Sequence, residues 1–180
     1  MDRLYSNKQM QACANMLYYQ VKALDGSRIV STNDGWEFVQ SDIFGLHDYA
    51  ATDDVLAKHF ASREEITKHS CVHRMVYCDG KEWTGNEAFL LTEYGDIAFE
   101  DKSSSSWGYH GKVSDEEAFF ERYQSLTNAA HAIPYCQGYV YTQLTDVEQE
   151  RNGILSPDRK SKVDVERFRS LTLNPEGRYQ

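Results

Sequence analysis

The sequence predicts an α/β domain built from parallel β/α units. Short apolar runs such as Phe89-Leu90-Leu91 and Gly138-Tyr139-Val140-Tyr141-Thr142 read as buried strands. Segments of helical periodicity lie between them, and strands separated by helices pair in parallel through right-handed crossovers. The 180 residues suffice for one domain with its own core.

Taken in order, Ser6 or Asn7 can cap a helix running to about Ala23-Leu24, with Met10, Cys13, Ala14, Leu17, Val21 and Leu24 as its apolar stripe. Asp25-Gly26 stops it. Arg28–Thr32 reads as a strand, followed by the loop Asn33-Asp34-Gly35-Trp36-Glu37. A second strand spans Asp42–His47 and ends in His47-Asp48-Tyr49. Asp53 or Asp54 begins a helix through Val55, Leu56, Phe60 and Ile66. Residues 70–88 read as irregular, and the Phe89 strand follows. Residues 94–113 read as a long polar loop, whose run Ser103–Ser106 marks a flexible tip. Ser114-Asp115-Glu116-Glu117 is a helix start, because acidic residues favour the first turn. That helix carries Phe119, Phe120, Tyr123, Leu126 and Ala130 and ends near Ile133-Pro134. The strand Gly138–Thr142, a charged loop over 145–160 and a last helix near Val163–Leu171 complete the chain.

Composition narrows the function classes. The chain is 41% hydrophobic and carries a net charge of -9, so it reads as soluble and globular. An acidic surface argues against nucleic acid and against anionic membranes, both of which need a basic footprint. No apolar run is long enough to span a bilayer, and the N-terminus is not a signal peptide. Cys13, Cys71, Cys78 and Cys136 form no C-x-x-C pair and read as free thiols in a cytoplasmic setting. His69, Cys71 and His73 invite a metal reading, but no second cluster supplies further ligands, so no metal is expected. No Gly-rich phosphate loop follows a strand, and no cofactor is implied. Asp146, Glu148 and Glu150 read as a solvated acidic loop with salt bridges to Arg151 or Arg159.

The stretch with chemical content is Phe89-Leu90-Leu91-Thr92-Glu93-Tyr94-Gly95. It places a carboxylate at the C-terminal end of a buried strand, and Gly95 lets the backbone turn away. Ligands bind at the carboxyl ends of strands in parallel α/β sheets and barrels. Glu93 is therefore a candidate catalytic group, set against the plain alternative of a strand-capping carboxylate.

Four blocks carry a resemblance. They are Ser31-Thr32-Asn33-Asp34-Gly35-Trp36-Glu37, Asp42-Ile43 with His47-Asp48-Tyr49, Leu91 to Phe99, and Gly138 to Glu150. In this order they resemble family 2 glycoside hydrolases, which include β-galactosidases and β-glucuronidases. The resemblance implies the C-terminal half of a (β/α)8 barrel, its fifth to eighth strands, and a retaining mechanism. It implies Glu93 as nucleophile, Tyr49 as the hydroxyl that hydrogen-bonds it, and Asp34, Trp36, His47 and Trp107 as residues lining the sugar pocket. Retaining hydrolysis needs two carboxyl groups roughly 5–5.5 Å apart, one attacking the anomeric carbon and one protonating the leaving oxygen.

The chain also departs from the family. A whole barrel takes about 250 residues. The acid/base of relatives lies in an Asn-Glu motif ending the fourth strand. Here Asn-Glu occurs only as Asn86-Glu87, in a turn before the Glu93 strand. Asp96 stands where close relatives usually have Gly, and the strand end Thr142-Gln143 stands where better-known relatives carry a Trp. The chain alone is therefore expected to have little glycosidase activity. Besides a carbohydrate substrate, the expected partner is a second copy or the missing barrel half, because a half-barrel leaves sheet edges and apolar surface uncovered; the alternative reading is a non-catalytic half-barrel that self-associates or binds a partner chain or sugar.

Overall fold

The computed structural model describes residues 4–68, 74–78, 81–99 and 112–174. Helices are α1 (Lys8–Leu24), α2 (Asp53–His59), α3 (Arg63–Lys68), α4 (Glu116–His131) and α5 (Val165–Leu173), and strands are β1 (Ile43–Asp48), β2 (Ala88–Gly95), β3 (Ala98–Phe99), β4 (Lys112–Val113) and β5 (Cys136–Thr142). The class is mixed α/β with parallel sheets. One sheet has the order β1-β2-β5, and β3 pairs with β4 in parallel. Among the described residues no helix is long and apolar enough to cross a membrane.

The chain divides into two compact units. The first holds residues 1–47, 59–92 and 135–139; the second holds 48–58, 93–134 and 140–180. The first unit is centred on aromatic rings. Phe44 packs on Phe38 at 5.2 Å and on Phe89 at 5.6 Å, and Phe89 meets Phe60 at 5.7 Å and Tyr135 at 5.8 Å. In the second unit α4 presents its apolar stripe. Phe119, Phe120, Tyr123, Leu126 and Ala130 are all buried, with Phe119 stacked on Phe99 at 5.3 Å and Tyr123 on Phe168 at 4.6 Å. Asp115 caps this helix, its side chain accepting from the Ala118 N–H at 2.9 Å.

Several sequence expectations need correction. Arg28–Thr32 is not a strand. Side chains take two of its N–H groups instead: Asp42 Oδ2 accepts from the Val30 N–H at 2.9 Å and Ser41 Oγ from the Thr32 N–H at 3.3 Å. Nearby parallel bridges form only further along, from Gly35 to Leu46 and from Phe38 to Tyr77, among the described residues. The single helix expected from Asp53 through Ile66 breaks into α2 and α3 at Phe60–Ser62. There the Phe60 carbonyl accepts from the Tyr135 hydroxyl, and Ser62 Oγ accepts from the Glu65 N–H. The long loop over 94–113 contains β3 and β4. Asp146 is buried rather than solvated, paired with Lys162 at 2.8 Å and with Arg151 at 3.6 Å.

The largest correction concerns α1. Its limits and its Asn7 cap match the expectation, but the apolar stripe faces outward. Met10 is 41%, Leu17 51%, Val21 45% and Leu24 82% exposed. The buried residues are Gln11 and Tyr18, which act through polar atoms. Gln11 Nε2 donates to the carbonyls of Leu4 and Tyr5, and the Tyr18 hydroxyl donates to Asp42 at 2.6 Å. Cys13, Cys78 and Cys136 are free thiols, and burial pushes Cys78 up to about 11. Cys71, His69, His73 and Ser103–Ser106 lie outside the described residues.

Candidate active site

In the first unit the loop before β1 brings Asp34, Trp36 and His47 together. Gly35 makes the approach possible: it sits at φ +80°, and a Cβ there would lie 2.9 Å from the His47 ring. The His47 Nε2 is 3.2 Å from Asp34 Oδ2. The Trp36 indole meets His47 edge-on at 5.1 Å. Thr92 Oγ1, at the end of the β2 segment in this unit, donates to Asp34 Oδ1 at 2.5 Å. These hydrogen bonds, that from His47 first, hold the Asp34 carboxyl below the usual carboxylate range.

Behind Trp36 lies a group that sequence reasoning missed. Glu37 is buried at φ +56°. Its Oε1 accepts from Arg74 at 3.2 Å and its Oε2 from the Tyr5 N–H at 3.2 Å. The Arg74 guanidinium then lies 5.4 Å over the Trp36 ring, a cation–π distance. Nothing in the local spacing joins Tyr5, Glu37 and Arg74, so no sequence signal was available. Thr92 was legible only as the neighbour of Glu93.

In the second unit the Tyr49 hydroxyl donates to Glu93 Oε2. Tyr49 follows the end of β1, where buried Asp48 fixes the turn by accepting from the Ala50 N–H at 2.8 Å. Gly95 sits at φ +101°, and a Cβ there would fall 2.4 Å from the Tyr141 ring, so the strand exit requires glycine. Asp96 follows at φ +51°, in the left-handed region that Gly favours and Asp tolerates. This explains how Asp stands where a Gly was expected. The Asp96 N–H donates to the Thr142 carbonyl at 3.0 Å, which ties the exit of β2 to the end of β5.

A polar chain continues from there. Asn152 Nδ2 donates to Asp96 Oδ1. Gln143 Nε2 donates to Asn152 Oδ1 at 2.6 Å and to Glu150 Oε2 at 3.2 Å. Asp96 and Asn152 are buried, whereas Gln143 and Glu150 reach solvent. The Asn86-Glu87 pair lies at the opposite end of the strand. Glu87 precedes β2, and its carboxylate accepts from the Thr84 N–H and hydroxyl. Trp107 lies outside the described residues.

A carboxylate near a strand end, aimed by a phenolic hydroxyl, can act as a nucleophile or as an electrostatic stabiliser of a developing cation. No protein-family model and no curated protein matches the chain. Solved structures do. A GH2 β-galacturonidase from Eisenbergiella tayi bound to galacturonate aligns with TM-score 0.59 and 16% identity, over 96% of this chain and 31% of its own. The Bifidobacterium dentium β-glucuronidase complexed with coumarin-3-O-glucuronide aligns with TM-score 0.59 and 20% identity, over 92% of this chain and 27% of its own. A Faecalibacterium prausnitzii β-glucuronidase gives TM-score 0.59 and 14% identity, over 98% and 30%. The chain thus spans less than a third of the length of these neighbours. At such identities the likeness is one of fold: the chain has a GH2-like fold.

Proposed function

We propose that the chain is the C-terminal half of a retaining glycosidase barrel, with Glu93 as the nucleophile. The observation that carries this reading is the Tyr49 hydroxyl donated to Glu93 near the carboxyl end of β2, within a GH2-like fold. In the reaction Glu93 attacks the anomeric carbon and forms a glycosyl ester while the bond to the leaving oxygen breaks. Tyr49 holds the attacking oxygen. Asp34, Trp36 and His47 serve in sugar binding; Trp36 offers a flat apolar face and the Asp34–His47 pair offers polar contacts. Trp107 is assigned to the same role by the resemblance alone.

The second carboxyl group comes from a polypeptide segment other than this one, because the chain's Asn-Glu pair lies before β2 rather than beyond it. The purified chain should therefore leave unactivated glycosides intact. It should release dinitrophenol slowly from dinitrophenyl β-glycosides, whose leaving group needs no proton, and Glu93→Gln should abolish that release. Robust hydrolysis of unactivated glycosides by the chain alone would overturn this assignment of roles.

The exposed apolar face of α1 favours a second reading, a non-catalytic half-barrel that associates with another copy of itself. Leu17→Glu with Leu24→Glu should convert such an assembly to monomer. A wild-type chain that stays monomeric in light scattering at high concentration would contradict it.

A further inference from the structure

The hydrogen-bond chain at the end of β5 has a direction, and its direction defines what it can bind. It starts at Asp96, a buried carboxylate, which accepts and does not donate when ionised. The Arg122 guanidinium lies near enough for a charge interaction with Asp96. Asn152 must therefore turn its amide nitrogen toward Asp96 and its oxygen away. That oxygen accepts from Gln143, so Gln143 must turn its nitrogen inward. The second amide hydrogen of Gln143 goes to Glu150, another acceptor, which fixes the same orientation independently. Both Gln143 donors are thus committed. Its Oε1 makes no hydrogen bond to protein among the described residues, and the side chain reaches solvent just past the end of β5.

We propose that Gln143 is a specificity-determining residue whose Oε1 accepts a hydrogen bond from one sugar hydroxyl. This deepens the reading of Glu93 as nucleophile and rests on it. The strand ends are tied together by the Asp96–Thr142 hydrogen bond, which places Gln143 on the rim that carries Glu93. A group that can only accept, with the Glu150 carboxylate beside it, selects a hydroxyl donor. It disfavours an ether oxygen or a carboxylate at that point of the sugar.

The test uses the whole chain and 2-deoxy-2-fluoroglycosyl fluorides in the gluco and galacto series, with their 3-, 4- and 6-deoxy and uronyl congeners. Glu93 displaces fluoride from the anomeric carbon, one C–F bond breaking as one C–O ester bond forms, and no proton is required. In the wild type, removal of one particular hydroxyl should slow trapping about 10-fold, the worth of one hydrogen bond. Where that hydroxyl is the one at C6, the uronyl congener should also react more slowly. In Gln143→Met the parent and that deoxy sugar should react at equal rates, because the partner of the missing hydroxyl is gone. A discrimination that survives in Gln143→Met, or no discrimination at any hydroxyl, overturns the assignment of Gln143 while leaving the nucleophile in place. Absence of trapping with every probe counts instead against Glu93. In that case the ¹⁵N side-chain amide signals of Gln143, followed during titration with methyl β-galactoside and methyl β-glucoside, decide: a saturable shift of these signals supports the acceptor role, and unmoved signals reject it.

Discussion

Helices α1 and α4 look alike in sequence and behave in opposite ways. Each is four to five turns long, 17 residues against 16, and each begins at a side-chain cap, Asn7 in one and Asp115 in the other. Both carry an apolar stripe at helical spacing. In α4 the stripe is core: Phe119 and Ala130 are fully buried and Phe120, Tyr123 and Leu126 nearly so. In α1 the stripe is surface, and the helix is held by Tyr18 and Gln11 through hydrogen bonds. Periodicity therefore establishes that a helix forms and which face is apolar. It does not establish that the apolar face has a partner within the same chain.

Truncations should separate the two helices most sharply. Phe119→Ala removes a fully buried ring and should destabilise the fold by about 3–5 kcal/mol in urea unfolding. A loss under 1 kcal/mol would mean that α4 is not the core helix described. In α1 the sensitive residue should be polar. Tyr18→Phe deletes the hydroxyl that Asp42 accepts and should cost about 1–2 kcal/mol. Leu17→Ala and Leu24→Ala, on the exposed stripe, should each change stability by no more than about 0.5 kcal/mol. A larger loss at Leu17 than at Tyr18 would reverse the assignment of the faces.

Acid should distinguish the caps. The Ala118 N–H, followed by the Ser114 hydroxyl, holds Asp115 below its ordinary pKa. A depressed carboxyl contributes stability that is fully present above its unfolded value of about 3.9 and is lost as pH falls from there through the folded value. Asn7 does not titrate. Amide exchange between pH 5 and pH 2 should therefore show the first turn of α4 opening while that of α1 holds, apart from any global acid unfolding. Asp115→Asn should remove the difference.

What could be read from the sequence followed the same division. Local signals were faithful: the helix starts at Ser6-Asn7 and at Ser114–Glu117, strand β2 with Glu93 near its end, and the Gly95 turn all fall where residue types demand them. Non-local choices were not legible. Arg28–Thr32 has strand-forming residues, yet Asp42 and Ser41 from beyond the next turn take two of its N–H groups. The Glu37–Arg74 pair joins residues 37 apart, and the Asp96–Asn152–Gln143 chain joins residues 56 and 9 apart, with no periodicity to reveal either. Asp34 and His47 were named from the resemblance, and the structure sets them 3.2 Å apart, but neither spacing nor composition pointed to their pairing.

The central claim is that Glu93 is a nucleophile held by Tyr49. It is tested most directly by incubating the chain with a dinitrophenyl 2-deoxy-2-fluoro-β-glycoside and mapping the adduct by mass spectrometry. One glycosyl unit should attach to the peptide containing Glu93. Glu93→Gln should give no adduct, and Tyr49→Phe should form it about 100-fold more slowly, the effect of removing one aimed hydrogen-bond donor. An adduct on another residue, or a Glu93→Gln chain labelled as fast as the wild type, would contradict the account.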